Sequence, residues 1–196
     1  MNFEDQAVRL CNIALLDLGN RVPIRRLVPE TGAALSANEV ICAEKYDLAR
    51  RTVLRAHAWN FASRETHACP SPWHGNYYGG VQAWRFKVPA GCVRVVRCEG
   101  WAFRVIGDWV VTRSQVQSVE YTEDVEDLRA WDPITYRALA ARLAADIADA
   151  VCGSGARDRA EAVYTGALES AKKQDAREAP DRDEPVDNPV WEAMRR

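Results

Sequence analysis

The chain has 196 residues, 47% of them hydrophobic, enough for one ordinary domain with a buried core and no need of covalent staples. Its 26 basic and 28 acidic residues leave a formal charge of −2, which argues against a dedicated nucleic-acid binder with a strong basic excess. Met1 leads into the acidic, amphipathic NFEDQAVRL, where no signal peptide is expected, and no apolar run approaches the roughly 18 residues that cross a bilayer.

Residues 3–19 read as a first helix, with Ala7, Leu10, Cys11, Ala14, Leu15 and Leu18 on one stripe and Gly19-Asn20 as its stop. The connector RVPIRRLVPETG follows, and its two prolines block continuation of the helix. A second helix is expected over 36–57, capped by Ser36 or a nearby residue, with Cys42, Tyr46, Ala49, Val53 and Ala56 on its apolar face. Glu44, Asp47, Arg50, Arg51 and Arg55 take much of the opposite face. The helix runs into the aromatic block Trp59-Asn60-Phe61-Ala62, which looks like a building part that joins the helices to a β module. The segment from Pro70 to Gly80 is dense in proline, glycine and aromatics, and no regular structure is expected there.

The period then changes. Residues 84–88 alternate, 92–98 are rich in valine, and Gly107-Asp108 suits a tight turn between 101–106 and 109–112, with a last strand over 116–121. These four or five short antiparallel strands make one small β module over about 82–122. Trp131-Asp132-Pro133 opens a helix over 133–152, with Asp132 as cap and Pro133 at its first position. Gly153-Ser154-Gly155 ends it, and a last helix follows over 156–177. The expected fold is α+β: a mainly helical bundle with an inserted small antiparallel β-sheet, residues 1–177 forming a single domain. Residues 178–196 are acidic and proline-rich and are expected to be an extended C-terminal arm.

Reactive constellations are scarce. GxSxG, GxxxxGK[ST] and GxGxxG do not occur. The six cysteines form no CxxC pair, and His67-x-Cys69 with His74 falls short of the four ligands of a structural zinc site. No cofactor or metal is therefore expected. Glu65, Glu99, Glu120 and Asp124 are the conceivable carboxylates for a glycosidase pair, though spacing alone does not pair them. His57 closes a helix, where a donor meets free carbonyls. Trp84, Trp101 and Trp109 read as sheet-packing residues. Arg25-Arg26 and Arg50-Arg51 read as solvated faces, or as contacts to acidic residues of a neighbouring subunit.

An ordered series of motifs adds to this. It comprises Asn12-x-Ala14-Leu15-x-x-Leu18-Gly19, Ile24, Cys42, Tyr46-Asp47, Arg50-Arg51, Val53-Leu54 and Trp59-Asn60-Phe61-Ala62. Val88-Pro89, Cys92-Val93-Arg94-Val95, Tyr121 and Trp131-Asp132-Pro133 complete it. In order and spacing, over about residues 5–175, the series resembles the tail tubular protein A type of head-to-tail adaptor, found in tailed phages and gene-transfer agents. The resemblance implies a non-enzymatic virion protein of the phage neck, assembled in the host cytoplasm as a ring, usually twelve-fold. Such a ring binds the portal protein above and tail or stopper proteins below, and lets DNA pass through its lumen without specific binding. It makes no membrane contact. Trp59, Asn60 and Phe61 would then be a structural joint between helical body and β module. Pro189, Val190, Trp191 and Met194 would be a portal-docking arm. Two other readings stand beside it: a phage-associated cell-wall hydrolase using the carboxylates above, and a cytosolic protein-interaction domain with exposed tryptophans.

Overall fold

The structure is a computed structural model and describes residues 3–29, 33–73, 83–99 and 101–178. Helix α1 (Phe3–Asp17) ends on Gly19, whose φ of +79° is the left-handed conformation glycine adopts without a Cβ penalty. The Gly19 and Asn20 amides donate back to the Leu16 and Leu15 carbonyls, so the orphan end of the helix is closed. The connector is then clamped by one side chain. Asn12 Nδ2 donates to the Ile24 carbonyl at 3.0 Å and its Oδ1 accepts from the Ile24 amide at 2.8 Å.

Helix α2 (Ala37–Ala56) begins with a reciprocal cap in which Ser36 Oγ accepts from the Glu39 amide and Glu39 accepts from the Ser36 amide. Helix α3 (Pro133–Cys152) is capped by Asp132, which accepts from the Ile134 and Thr135 amides. It is the central helix, packing against α1, α2 and α4 (Ala156–Glu178). Its run of buried alanines at 138, 140, 141, 144, 145 and 148 lets those neighbours approach closely.

Among the described residues, seven strands form two antiparallel sheets. β1 (Ser63–His67), β7 (Ser118–Glu123) and β4 (Cys92–Arg97) make a three-stranded sheet in the order β1-β7-β4. β2 (Ser71–Trp73), β3 (Ala83–Lys87), β6 (Trp109–Thr112) and β5 (Phe103–Ile106) make a four-stranded sheet in the order β2-β3-β6-β5. Phe86, Val110 and Phe103 of the second sheet pack on Val95, Cys98, Val116 and Val119, giving an apolar layer between the sheets. Burial raises the Cys98 thiol to about 11, with Glu99 adding to it.

The expectation of a mainly helical bundle carrying one small inserted sheet is therefore corrected. Of the described residues about 51% are helical and 22% are in strands, and these strands divide into two sheets that begin at Ser63 rather than near residue 82. Two strands carry no periodic signal. β1 reads SRETH and is exposed over four of its five positions, because it is an edge strand held by its backbone ladder to β7. β2 contains Pro72, tolerated because β2 is also an edge. Part of the segment expected to be irregular is thus a strand. The expected arm over 178–196 falls, beyond Glu178, outside the described residues.

A β-bulge joins the sheets to the helices. In the β4–β7 ladder, Cys92 faces Glu123 and Arg94 faces Thr122, which leaves Val93 as the extra residue. Val93 packs against the helical core, whereas Val95 belongs to the layer between the sheets. No helix among the described residues is long and apolar enough to cross a membrane.

Candidate functional site

The residues singled out in the sequence gather where α2 ends. Val53, Leu54 and the fully buried Trp59 stand in the helical core. Trp59 Nε1 donates to the Val53 carbonyl at 2.7 Å, so the indole is buried with its polar atom satisfied. His57 meets the Trp59 ring edge-on at 4.8 Å, Phe61 stacks on Trp59 at 6.3 Å, and Trp131 lies 5.1 Å from Phe61. Trp131 in turn donates from Nε1 to the Val125 carbonyl. One aromatic file thus connects the end of α2, the 3₁₀ turn Asn60–Ala62 that leads into β1, and the start of α3.

Asp175, near the end of α4, locks this file from the side. Its Oδ1 accepts from the Asn60 amide at 2.9 Å and its Oδ2 lies 3.1 Å from His57 Nε2. Its backbone carbonyl accepts from Asn60 Nδ2 at 2.8 Å. His57 therefore meets a carboxylate of α4, not the free carbonyls of its own helix. Asp175 was absent from the sequence-based candidates. Its position gave a signal, because it falls four residues beyond Ala171 and eleven beyond Tyr164, on the buried stripe of α4. A groove of about 470 Å³ opens beside it, lined by His57, Asn60, Arg94, Arg97, Glu120 and Lys172.

Arg50 corrects another expectation. It is 1% exposed, not part of a solvated face. Its guanidinium pairs with Asp124 just after β7, with Asp47 at 2.7 Å, and donates to the Val125 carbonyl at 3.2 Å. Burial works against the charge, but Asp124 and Asp47 outweigh it and hold Arg50 above its usual pKa. Arg51 also reaches Asp124, at 3.0 Å. The pair thus finds acidic partners within its own chain. Arg26 donates to the Ala33 and Ala34 carbonyls, and the Arg25 amide donates to Glu39.

The four candidate carboxylates are dispersed among fold-building tasks. Glu99, at a φ of +43°, accepts from the Gln117 and Ser118 amides at 2.9 and 2.7 Å. Asp124 belongs to the arginine pair. Only Glu65 and Glu120 come together, as direct cross-strand partners of β1 and β7. Glu120 accepts from Ser63 Oγ at 2.9 Å and pairs with Arg97 at 3.3 Å.

His67 and Cys69 are exposed on and after β1, His74 lies outside the described residues, and no group of three potential metal ligands occurs among the described residues. Cys11 and Cys42 are buried in one helical core, and their mutual hydrogen bond, with burial, raises the Cys11 thiol. Trp84 and Trp109 are half-buried, but Trp101 is 49% exposed and so does not pack as expected. Pro189, Val190, Trp191 and Met194 lie outside the described residues. No protein-family model matches the chain, and no curated protein shows detectable similarity to it.

Proposed function

We propose that this chain is a structural head-to-tail adaptor of a phage-type virion, one that binds and positions other proteins. The observation that carries the reading is the use made of the motif series. Asn12 clamps Ile24, Arg50 binds Asp47 and Asp124, Phe61 lies between Trp59 and Trp131, and Asp132 caps α3. Residues that recur in order along the chain are spent on fixing the angle between a helical body and a β module. That suits a part whose work is shape. A ring of such parts uses unlike faces of each copy in head-to-tail contact, and a helical body with projecting sheets offers them.

In this reading the chain sits in the virion neck, seated on the portal, with tail or stopper proteins below and DNA passing through the ring. Trp59, Asn60 and Phe61 hold the joint, and Pro189, Val190, Trp191 and Met194 grip the portal. The test is co-purification. The isolated chain is expected to be monomeric and to form rings on its cognate portal, with matching density at the neck of assembled particles. Particles without that density overturn the reading.

One observation favours a second reading. Glu65 and Glu120 stand directly opposite each other on the β1–β7 ladder, which brings two carboxylate side chains onto one face, the residue pair that a glycosidase needs. Release of peptidoglycan fragments that is lost in both Glu65→Gln and Glu120→Gln decides for the hydrolase. No release decides against it.

A further inference from the structure

The four-stranded sheet is built asymmetrically. Its inner face, with Phe86, Val110 and Phe103, is buried on the other sheet. The ladder places Arg85 and Arg104 on either side of Val111, and Lys87 and Ile106 on either side of Trp109, so these six share the outer face. Arg85 and Lys87 both lie over the Trp109 ring, at 4.3 and 4.4 Å from its centre. Arg113 follows β6, and Asp108, in the β5–β6 turn, is the one acidic residue among the described residues of the sheet and its turn. Asp108 stands 3.9 Å from Lys87. A chain of net charge −2 thus gathers four cations on and beside one small sheet.

We propose that this outer face binds a nucleic-acid backbone. Arg85 and Lys87 are two residues apart on one strand, about 7 Å, and Arg85 and Arg104 are two strands apart, about 10 Å. A flat cationic face of that spacing is matched by a polymer that carries a charge about every 1.7 Å of its axis. The Trp109 ring beneath Arg85 and Lys87 holds both cations on this face. An anionic membrane needs apolar anchors beside the cations, and here Val111 is buried and Ile106 half-buried. The contact is to phosphate and carries no sequence preference. It goes beyond the adaptor reading and does not need it, because the isolated chain has the whole face.

The test is fluorescence anisotropy of a labelled 25-base-pair DNA duplex with the full chain, from about 50 to 200 mM salt. Binding is expected in the micromolar range at low salt, with a log–log salt slope of about −2 to −3 for three phosphate contacts. Arg85→Gln/Lys87→Gln should weaken binding at least tenfold and reduce the slope by about two. Lys87→Gln alone, at a position 62% exposed, guards against misfolding and should lower the slope by about one. Arg159→Gln on α4 should change nothing. Absence of duplex binding at low salt, an unchanged slope in the double variant, or capture of polyglutamate in place of the duplex overturns the proposal. Because no portal is present, its failure is separate from failure of the adaptor reading.

Discussion

Asn60 and Asp175, 115 residues apart, are joined twice: the Asn60 amide donates to the Asp175 carboxylate, and the Asn60 side-chain amide donates to the Asp175 carbonyl. The end of α2 is thereby fixed to the end of α4. Asp175→Ala should cost about 2–3 kcal/mol, because it strands a half-buried amide and removes the partner of His57. Asn60→Ala keeps its backbone donor and should cost only about 1 kcal/mol. Urea unfolding of both variants reads the difference. Equal losses would mean that the carboxylate is not the anchor.

Arg50 is expected to be the most sensitive arginine. Arg50→Ala leaves Asp124 with Arg51 alone and the Val125 carbonyl with Trp131 alone, empties a buried site, and should cost about 2–3 kcal/mol. Arg50→Lys keeps the charge but loses the fork that reaches two carboxylates, so it should rescue little of the loss. Arg51→Ala, at a site 57% exposed, should cost under about 1 kcal/mol. Thermal melts of the three variants test this order.

The cap of α2 makes a pH-dependent contribution. The Ser36 amide, then the Arg25 amide, hold the Glu39 carboxyl at about 2, below its ordinary 4.5. A lowered folded-state value means that the stabilisation is fully present above pH 4.5 and is lost as pH falls towards 2. Glu39→Gln should flatten that part of the acid limb of a stability–pH profile and leave the limb above pH 5 parallel to wild type. Ser36→Ala should cost about 1 kcal/mol at neutral pH. An acid limb unchanged in Glu39→Gln would remove Glu39 from the account.

Asn12→Leu keeps the size of the side chain and deletes both bonds to Ile24. The loss should be about 2 kcal/mol, with earlier proteolysis in the connector after α1. Unchanged cleavage there would show that the clamp does not hold the connector.

Truncation after Glu178 should leave the melting temperature within about 1 °C, since both apolar cores are built from residues 7–171. Capture of the portal should fall sharply, and Trp191→Ala should reproduce most of that fall. A truncated chain that assembles normally would remove the arm from the portal contact.

Local chemistry was legible in the sequence. Ser36, Asp132 with Pro133, and Gly107-Asp108 each act within a few residues, so the caps and the turn could be read directly, though the reciprocal bond from Glu39 was not. The stripes of α1 and α3 were readable because burial there follows the helical period. Features that depend on partners far along the chain were not legible. SRETH becomes a strand only when β7 arrives, Arg50 is buried only because Asp124 reaches it, and Asp175 matters only through Asn60. Division into two sheets was hidden for the same reason: β4 and β7 pair around a bulge that no alternation marks.

The pairing of His67 with Ser118 has a further consequence. The chain leaves β1 after His67 and enters β7 at the directly opposed Ser118, with the Ala68 amide bonded to the Gln117 carbonyl, and in between it returns to the same sheet as β4. Within that excursion β4 packs on α2, and its Val93 joins the helical core. The strands β2, β3, β5 and β6 can therefore lengthen, shorten or change their outer residues without disturbing the helical body. Variation among relatives, and room for an engineered insertion, should concentrate there, on a platform held to the rest of the molecule by β4 and the apolar layer between the sheets.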